Sequence, residues 1–326
     1  MSSLLRITDL SVEFPGGVRA ARGVSLEVAA GETLAVVGES GSGKSVTALS
    51  VLGLLPEEAT VTGGRIEFAG VDLLRCPRRQ LNELRGRAVA MVYQDPLTAL
   101  NPVLTVGRQI EEGLQRHLGL RRRAATVRAA ELLDLVGIPQ AARRLRDYPH
   151  QFSGGMRQRV VIAMAISCDP RLIIADEPTT ALDVTMQAQI LDLLRRLRDD
   201  LGTSLMVISH DVGVVAGLAD RVAIMYAGRV VESGTAVELI GAPKHPYGRG
   251  LLASVPRLDA PSRVRFAAIP GTPPDPTALP AGCAFAPRCG HVVDRCRDAD
   301  PPLLDAAGGR LVACWRHAEL ALGGAG

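Results

Sequence analysis

The sequence predicts an α/β fold built on a mainly parallel sheet, and three observations carry that prediction. Short apolar, β-branched runs suited to buried strands alternate with stretches of helical spacing. One such run, Thr33-Leu34-Ala35-Val36-Val37, passes straight into a glycine-rich turn and then a helix. The chain has 326 residues, of which 47% are apolar and 22% charged, ordinary globular usage and long enough for two domains. Aromatics are only 3%, so the cores rest on Ala, Val, Leu and Ile.

The first stretch reads as strands. Residues 4–7 and 23–28 alternate apolar with polar, as half-buried strands do. Thr33–Val37 is uniformly apolar after its threonine, and helical spacing follows from Lys44 to Leu55. Further strands are expected at 65–68 and 88–93. Residues 97–168 read as mostly helical, with apolar residues at three- and four-residue spacing over 106–118 and 123–136. Strands return at 172–175, 204–208 and 222–225, with an amphipathic helix over 185–201 between the first two. From Val255 to Pro302 proline is frequent, helical periodicity vanishes and cysteines cluster, which reads as a loop-rich extension in need of a staple. The expected division is therefore 1–255, with a helical subdomain at about 97–168, and an extension at 256–326.

Composition excludes several classes. The net charge of +3 is too mild to argue for a nucleic-acid partner without a clustered basic face. No basic-then-apolar leader opens the sequence, and Asp169, Pro170 and Arg171 interrupt the most apolar stretch, so neither a secretory signal nor a transmembrane helix is expected. A soluble or peripheral cytoplasmic protein follows. Six cysteines in a reducing compartment argue for metal ligands or spare thiols over disulfides. Of 37 basic residues only Lys44 and Lys244 are lysines.

Lys44 closes a phosphate-binding pattern. Gly38-Glu39-Ser40-Gly41-Ser42-Gly43-Lys44-Ser45 matches G-x-x-x-x-G-K-[ST]. The glycines let backbone N–H groups curl around the phosphates, Lys44 adds a charge, and Ser45 offers a hydroxyl to Mg²⁺. A strand before the pattern and a helix after it set it apart from a mere flexible turn. The apolar run 172–175 ends in Asp176-Glu177. Phosphoryl transfer needs a carboxylate for Mg²⁺ and a group to polarise the attacking water, so Asp176 is assigned to the metal and Glu177 to the water.

Ser153-Gly154-Gly155-Met156-Arg157-Gln158, shortly before Asp176-Glu177-Pro178, resembles the signature of ATP-binding cassette ATPases. The family's other elements are present in its order over residues 4–235. Gln94 resembles the Q-loop glutamine, Ala181-Leu182-Asp183 the D-loop and His210 the switch histidine, and Phe14 stands where an aromatic stacks on adenine. The resemblance implies an ABC-type P-loop ATPase domain, with a RecA-like core and antiparallel-β and α-helical subdomains. It also implies a head-to-tail dimer, with each ATP between one subunit's 38–45 loop and its partner's signature. Ser153, Gly154, Gly155, Gln158 and Asp183 would then reach the nucleotide. Gln94 and His210 would sense the γ-phosphate beside Glu177, with Gln94 also touching Mg²⁺.

A finer likeness lies in Tyr93-Gln94-Asp95-Pro96-Leu97-Thr98-Ala99-Leu100-Asn101-Pro102, Lys244-His245-Pro246-Tyr247 and Ile269-Pro270-Gly271. These resemble the ATPase subunits of dipeptide/oligopeptide importers, a group shared with nickel importers. The implied partners are two transmembrane permease subunits, a second homologous ATPase subunit with a homodimer as the alternative, and indirectly an extracytoplasmic binding protein. The implied location is the cytoplasmic face of the inner membrane. A soluble ABC ATPase acting on DNA or ribosomes is the rival. Neither a long coiled coil nor a second cassette is present to support it.

Cys283, Cys289, Cys296 and Cys314 are spaced C-x5-C-x6-C-x17-C, unlike the zinc patterns built on C-x2-C pairs and unlike the ferredoxin run. Metal binding would still supply folding energy to a segment with little core of its own. Some peptide-importer ATPases hold a [4Fe–4S] cluster on C-terminal cysteines, and the likeness extends that expectation to these four; zinc or free thiols are the alternatives. Trp315, Arg288, Arg295 and Arg297 are placed to shield such a cluster or offset its charge, unless the arginines are simply solvated surface. Cys76 reads as a surface thiol and Cys168 as a small core residue.

Overall fold

The computed structural model describes residues 3–180, 182–254 and 269–320. The chain forms two compact units. One comprises 29–32 and 75–208; the other comprises the described residues of 2–28, 33–74 and 209–326. The expected boundary at 255/256 lies outside the described residues, as does Ala181 of the expected D-loop.

The first unit holds three parallel strands, Val89–Val92, Leu172–Asp176 and Ser204–Ser209. Leu172–Asp176 lies between the other two and every residue in it is buried, which is why its sequence is apolar rather than alternating. The expected helices are found at Val106–Leu118, Arg122–Leu135 and Gly154–Ile166; they pack on one another, and Ile110, Leu114, Leu132, Leu133 and Ile162 on them are buried. Local signals set their ends. Thr105 accepts a hydrogen bond from Arg108 N–H as an N-cap, and Gly119 closes the same helix in the left-handed conformation. Cys168 is buried among these helices, matching its reading as a small core residue.

The second unit carries an antiparallel sheet, ordered Val18–Ala29, Ser3–Phe14, Thr60–Phe68, Val71–Asp72. It also carries the strand that feeds the phosphate loop. Thr33–Val37 runs parallel to Arg221–Tyr226, which pairs antiparallel with Arg229–Thr235. Sequence periodicity missed Arg229–Thr235, because it is buried at Val230 to Gly234 and interrupted by Glu232, Ser233 and Gly234. Two short strands of the extension, Leu311–Val312 and Leu304–Asp305, then continue the same sheet.

The extension is therefore built onto the sheet that contains Thr33–Val37 rather than tethered loosely beyond it. Its anchor is a fully buried carboxylate. Glu232 accepts hydrogen bonds from Lys244 N–H (2.8 Å), His245 N–H (3.0 Å) and Arg310 Nε (3.1 Å). A buried charge must be paired in this way, because an uncompensated one costs several kcal/mol, roughly 3–5 on loss of one partner. The Lys244-His245-Pro246-Tyr247 run thus has a structural task. Lys244 Nζ donates to Ala306 O at 2.7 Å, and His245 Nδ1 accepts Tyr247 N–H at 3.0 Å to cap the helix Pro246–Ala253. Tyr247, Tyr226 and Phe285 form an aromatic cluster with centroids 4.5–5.4 Å apart.

His245 gives the fold a pH dependence. Complete burial depresses its imidazole from 6.5 to about 4. The unfolded chain takes up that proton near pH 6.5 and the folded chain only near 4, so stability is intact above 6.5 and falls as pH drops between these values. The loss reaches on the order of 3 kcal/mol by pH 4. Melting curves from pH 7.5 to 4.5 should therefore fall more steeply for the wild type than for His245→Asn, which keeps an acceptor for Tyr247 N–H. Equal slopes would contradict this account.

Candidate nucleotide site

The 38–45 loop lies wholly in the second unit, between Thr33–Val37 and the helix Lys44–Leu52. Gly43 shows why the pattern demands glycine. Its φ is +97°, and a Cβ there would collide with the carbonyl oxygen of Ala20. Lys44 is only 4% exposed, and its ammonium donates to Gly38 O (2.7 Å), Glu39 O (2.9 Å) and Ser42 Oγ (3.4 Å). The loop thus wraps its own lysine, with Ser40 and Gly41 exposed at the rim and Ser45 half-buried in the first helical turn. A positive side chain at a helix N-terminus within a nest of backbone groups suits a polyphosphate.

The carboxylates lie in the first unit. Asp176 is buried at the end of Leu172–Asp176, and Glu177 follows with φ +46°. A non-glycine residue held there costs on the order of 1 kcal/mol or more, and such strain gathers at functional sites. Glu177 N–H donates to Ile208 O (3.0 Å), which pins the residue to the neighbouring strand. Its carboxylate accepts hydrogen bonds from Thr180 Oγ1 (2.8 Å) and from Gln94 Nε2 (3.0 Å). The structure therefore brings Gln94 and Glu177 together across 83 residues of sequence. Thr180 is a partner that sequence reasoning missed, although it stands only three residues beyond Glu177. The carboxylate of Asp176 and the hydroxyl of Ser45 are hard oxygen donors, the kind Mg²⁺ takes.

The signature lies at the start of Gly154–Ile166. Ser153 caps that helix, its Oγ accepting Met156 N–H at 3.4 Å, and Ser153 and Gly154 are exposed. Gly155 is buried, and a Cβ there would have to displace the Met186 Cε methyl. Gln158 is 1% exposed, and its Nε2 finds no hydrogen-bond partner among the described residues. Phe152 is buried with the Arg144 guanidinium 5.5 Å from its ring centre. Asp183 caps the helix Val184–Leu201, its carboxylate accepting Met186 N–H at 2.9 Å. In the second unit, His210 is exposed just past Ser204–Ser209, and Phe14 is half-buried at the end of Ser3–Phe14.

The cysteine lobe meets expectation only in part. All four thiols are free, and burial pushes Cys283 and Cys314 up to about 11. Cys283 and Cys296 are neighbours, with Cys283 N–H donating to Cys296 O at 2.8 Å. The donor set suits a thiophilic metal. Yet among the described residues no three or more His, Cys, Asp or Glu converge to hold a metal ion, so the thiols as placed form no closed site. Arg295 stacks 3.7 Å from the centre of the Trp315 ring, Arg297 is exposed and pairs with exposed Asp294, as the solvated-surface alternative has it, and buried Arg288 pairs with Glu39.

Comparison with known proteins agrees with this arrangement. Residues 21–180 match the ABC transporter family, and residues 231–296 match the oligopeptide/dipeptide transporter C-terminal region. The chain is 53% identical over 320 residues to the oligopeptide transport ATP-binding protein OppD of Mycobacterium tuberculosis, covering 97% of this chain but only about half (52%) of that protein. It is 50% identical over 319 residues to the dipeptide transport ATP-binding protein DppD of Bacillus subtilis, covering 97% of this chain and 95% of that one. Among solved structures, the ATP-binding cassette MJ0796, a dimer in a post-hydrolysis state bound to ADP and Pi, matches with a TM-score of 0.64 at 26% identity, over 71% of this chain and 98% of that one. A motif set in family order, a loop wrapped round its lysine and near-complete coverage of DppD lead to one conclusion: the chain belongs to the ABC transporter ATP-binding proteins of the oligopeptide/dipeptide type.

Proposed function

We propose that this chain is the ATP-hydrolysing subunit of an inner-membrane importer for di- or oligopeptides, acting at the cytoplasmic face. The observation that carries the catalytic part is the Gln94–Glu177 hydrogen bond, which couples a residue at the start of an exposed loop to the carboxylate read as the general base. In this reading Glu177 takes a proton from the attacking water while Gln94 and Thr180 orient it. Lys44 and the loop N–H groups hold the phosphates, and His210 contacts the γ-phosphate. Ser45, Asp176 and Gln94 are the residues that would hold Mg²⁺, which would neutralise charge on the phosphates. Ser153, Gly154 and Gly155 serve the ATP of a partner cassette, and Asp183 helps to build that interface. Phe14 lies against the base.

The partners of this reading are two permease subunits and a second cassette, homologous or identical. Leu97 and Val103 support a docking role near Gln94, since both are large, apolar and exposed. A groove lined by Leu104, Arg108 and Tyr148 adjoins Val103. No helix among the described residues is long and apolar enough to cross a membrane, so attachment would run through such contacts. The peptide cargo rests on the names of the relatives and on the C-terminal match. The test is uptake in cells lacking this chain. Radiolabelled peptide uptake should be lost and return with the wild type but not with Glu177→Gln. Loss of nickel uptake alone would favour the nickel alternative.

The four extension cysteines are assigned in the same reading to a [4Fe–4S] cluster. Closure around it would require the thiols to approach one another and lose their protons, which opposes the burial that now raises Cys283 and Cys314. Anaerobically purified protein should carry about four iron and four sulfide per chain and absorb broadly near 400 nm. Iron-free protein would contradict the assignment, and bound zinc would replace it.

A further inference from the structure

Nothing in the G-x-x-x-x-G-K-[ST] pattern requires a carboxylate at its second position, yet Glu39 stands there. All three of its polar groups are engaged. Its N–H donates to Tyr247 Oη (2.8 Å) and its carbonyl accepts the Lys44 ammonium (2.9 Å). Its carboxylate accepts two parallel hydrogen bonds from Arg288, Nη1 at 2.6 Å and Nη2 at 3.0 Å. Glu39 thus links the phosphate lysine to the C-terminal extension.

Arg288 is built for that contact. It is 8% exposed, and its guanidinium is fixed on every side: Nε donates to Pro270 O (2.8 Å), Nη2 also to Ile269 O (3.4 Å) and Nη1 to Tyr226 Oη (3.3 Å). The rings of Tyr226 and Phe285 lie 5.8 and 5.9 Å away. The Glu39 carboxylate holds the guanidinium protonated even beyond its ordinary range. A bidentate, half-buried pair of this kind fixes direction as well as charge.

The chemistry of the loop gives the pair a purpose. A bare carboxylate beside the phosphate loop would repel a nucleotide polyphosphate through poorly screened surroundings. We infer that Arg288 is a positioning residue for ATP: it neutralises Glu39, draws its carboxylate toward the extension, and so sets the loop's affinity for nucleotide. Arg288 does not touch the nucleotide in this account; it acts through Glu39. The inference rests on the reading of residues 38–45 as the ATP site.

The test uses the full-length chain and MgATP titrated by calorimetry, which separates affinity from the fraction of protein able to bind. Arg288→Gln should raise the dissociation constant about tenfold at unchanged stoichiometry, and Arg288→Lys should raise it less. Adding Glu39→Gln to Arg288→Gln should recover at least about threefold of the loss, because the uncompensated charge has gone. The effect of Arg288→Gln should also shrink at high salt. Wild-type affinity in Arg288→Gln would overturn the inference, and so would a double variant no better than the single. So would a fall in stoichiometry at unchanged affinity, which is the mark of partial unfolding. A wild-type chain that binds no MgATP would instead overturn the ATP-site reading, and this inference with it.

Discussion

Glu177→Gln should bind MgATP as the wild type does and hydrolyse it at least about a hundredfold more slowly, the scale of a lost general base. The substitution is nearly isosteric. A glutamine carbonyl at the same place can still accept hydrogen bonds from Thr180 Oγ1 and Gln94 Nε2, so the local geometry survives. What disappears is the ability to take a proton from water. With binding intact and turnover stopped, ATP should stay between two cassettes and the variant should elute as a dimer in MgATP. Normal hydrolysis by Glu177→Gln would show that the base lies elsewhere, and Thr180 and His210 would then be the next residues to replace.

Lys44→Ala should weaken MgATP binding by at least about a hundredfold, equivalent to about 3 kcal/mol. Charge-assisted hydrogen bonds to phosphate are worth roughly 1.5–3 kcal/mol each, and Lys44 has no nearby lysine to stand in for it. The loop also loses internal order, since the ammonium ties Gly38 O to Glu39 O. Equilibrium binding measures this loss directly. Affinity within twofold of the wild type would remove the phosphate role from residues 38–45.

Much of the site was legible because its parts are local. The 38–45 loop, the 153–158 signature and the Asp176-Glu177 pair each announce themselves in a few consecutive residues. The strands Thr33–Val37 and Leu172–Asp176 are buried on both faces and therefore read as unbroken apolar runs. The relations among distant residues were not legible. Thr180 and Gln94 meet at Glu177 only because the parallel strands Val89–Val92 and Leu172–Asp176 place their ends side by side. Arg288 looked like solvated surface or a cluster neighbour, since nothing local shows that the extension folds back on the phosphate loop. Arg229–Thr235 was missed for a related reason. Its buried Glu232 reads as a surface residue until Arg310 and the N–H groups of Lys244 and His245 are brought to it.

The central claim is that this ATPase drives a membrane importer, and affinity purification of the tagged chain from detergent-solubilised membranes tests it most directly. The account predicts that mass spectrometry finds two polytopic permease subunits and a cassette partner, either a second ATPase or a second copy of this chain. Recovery of the chain alone, or with soluble partners only, would contradict it.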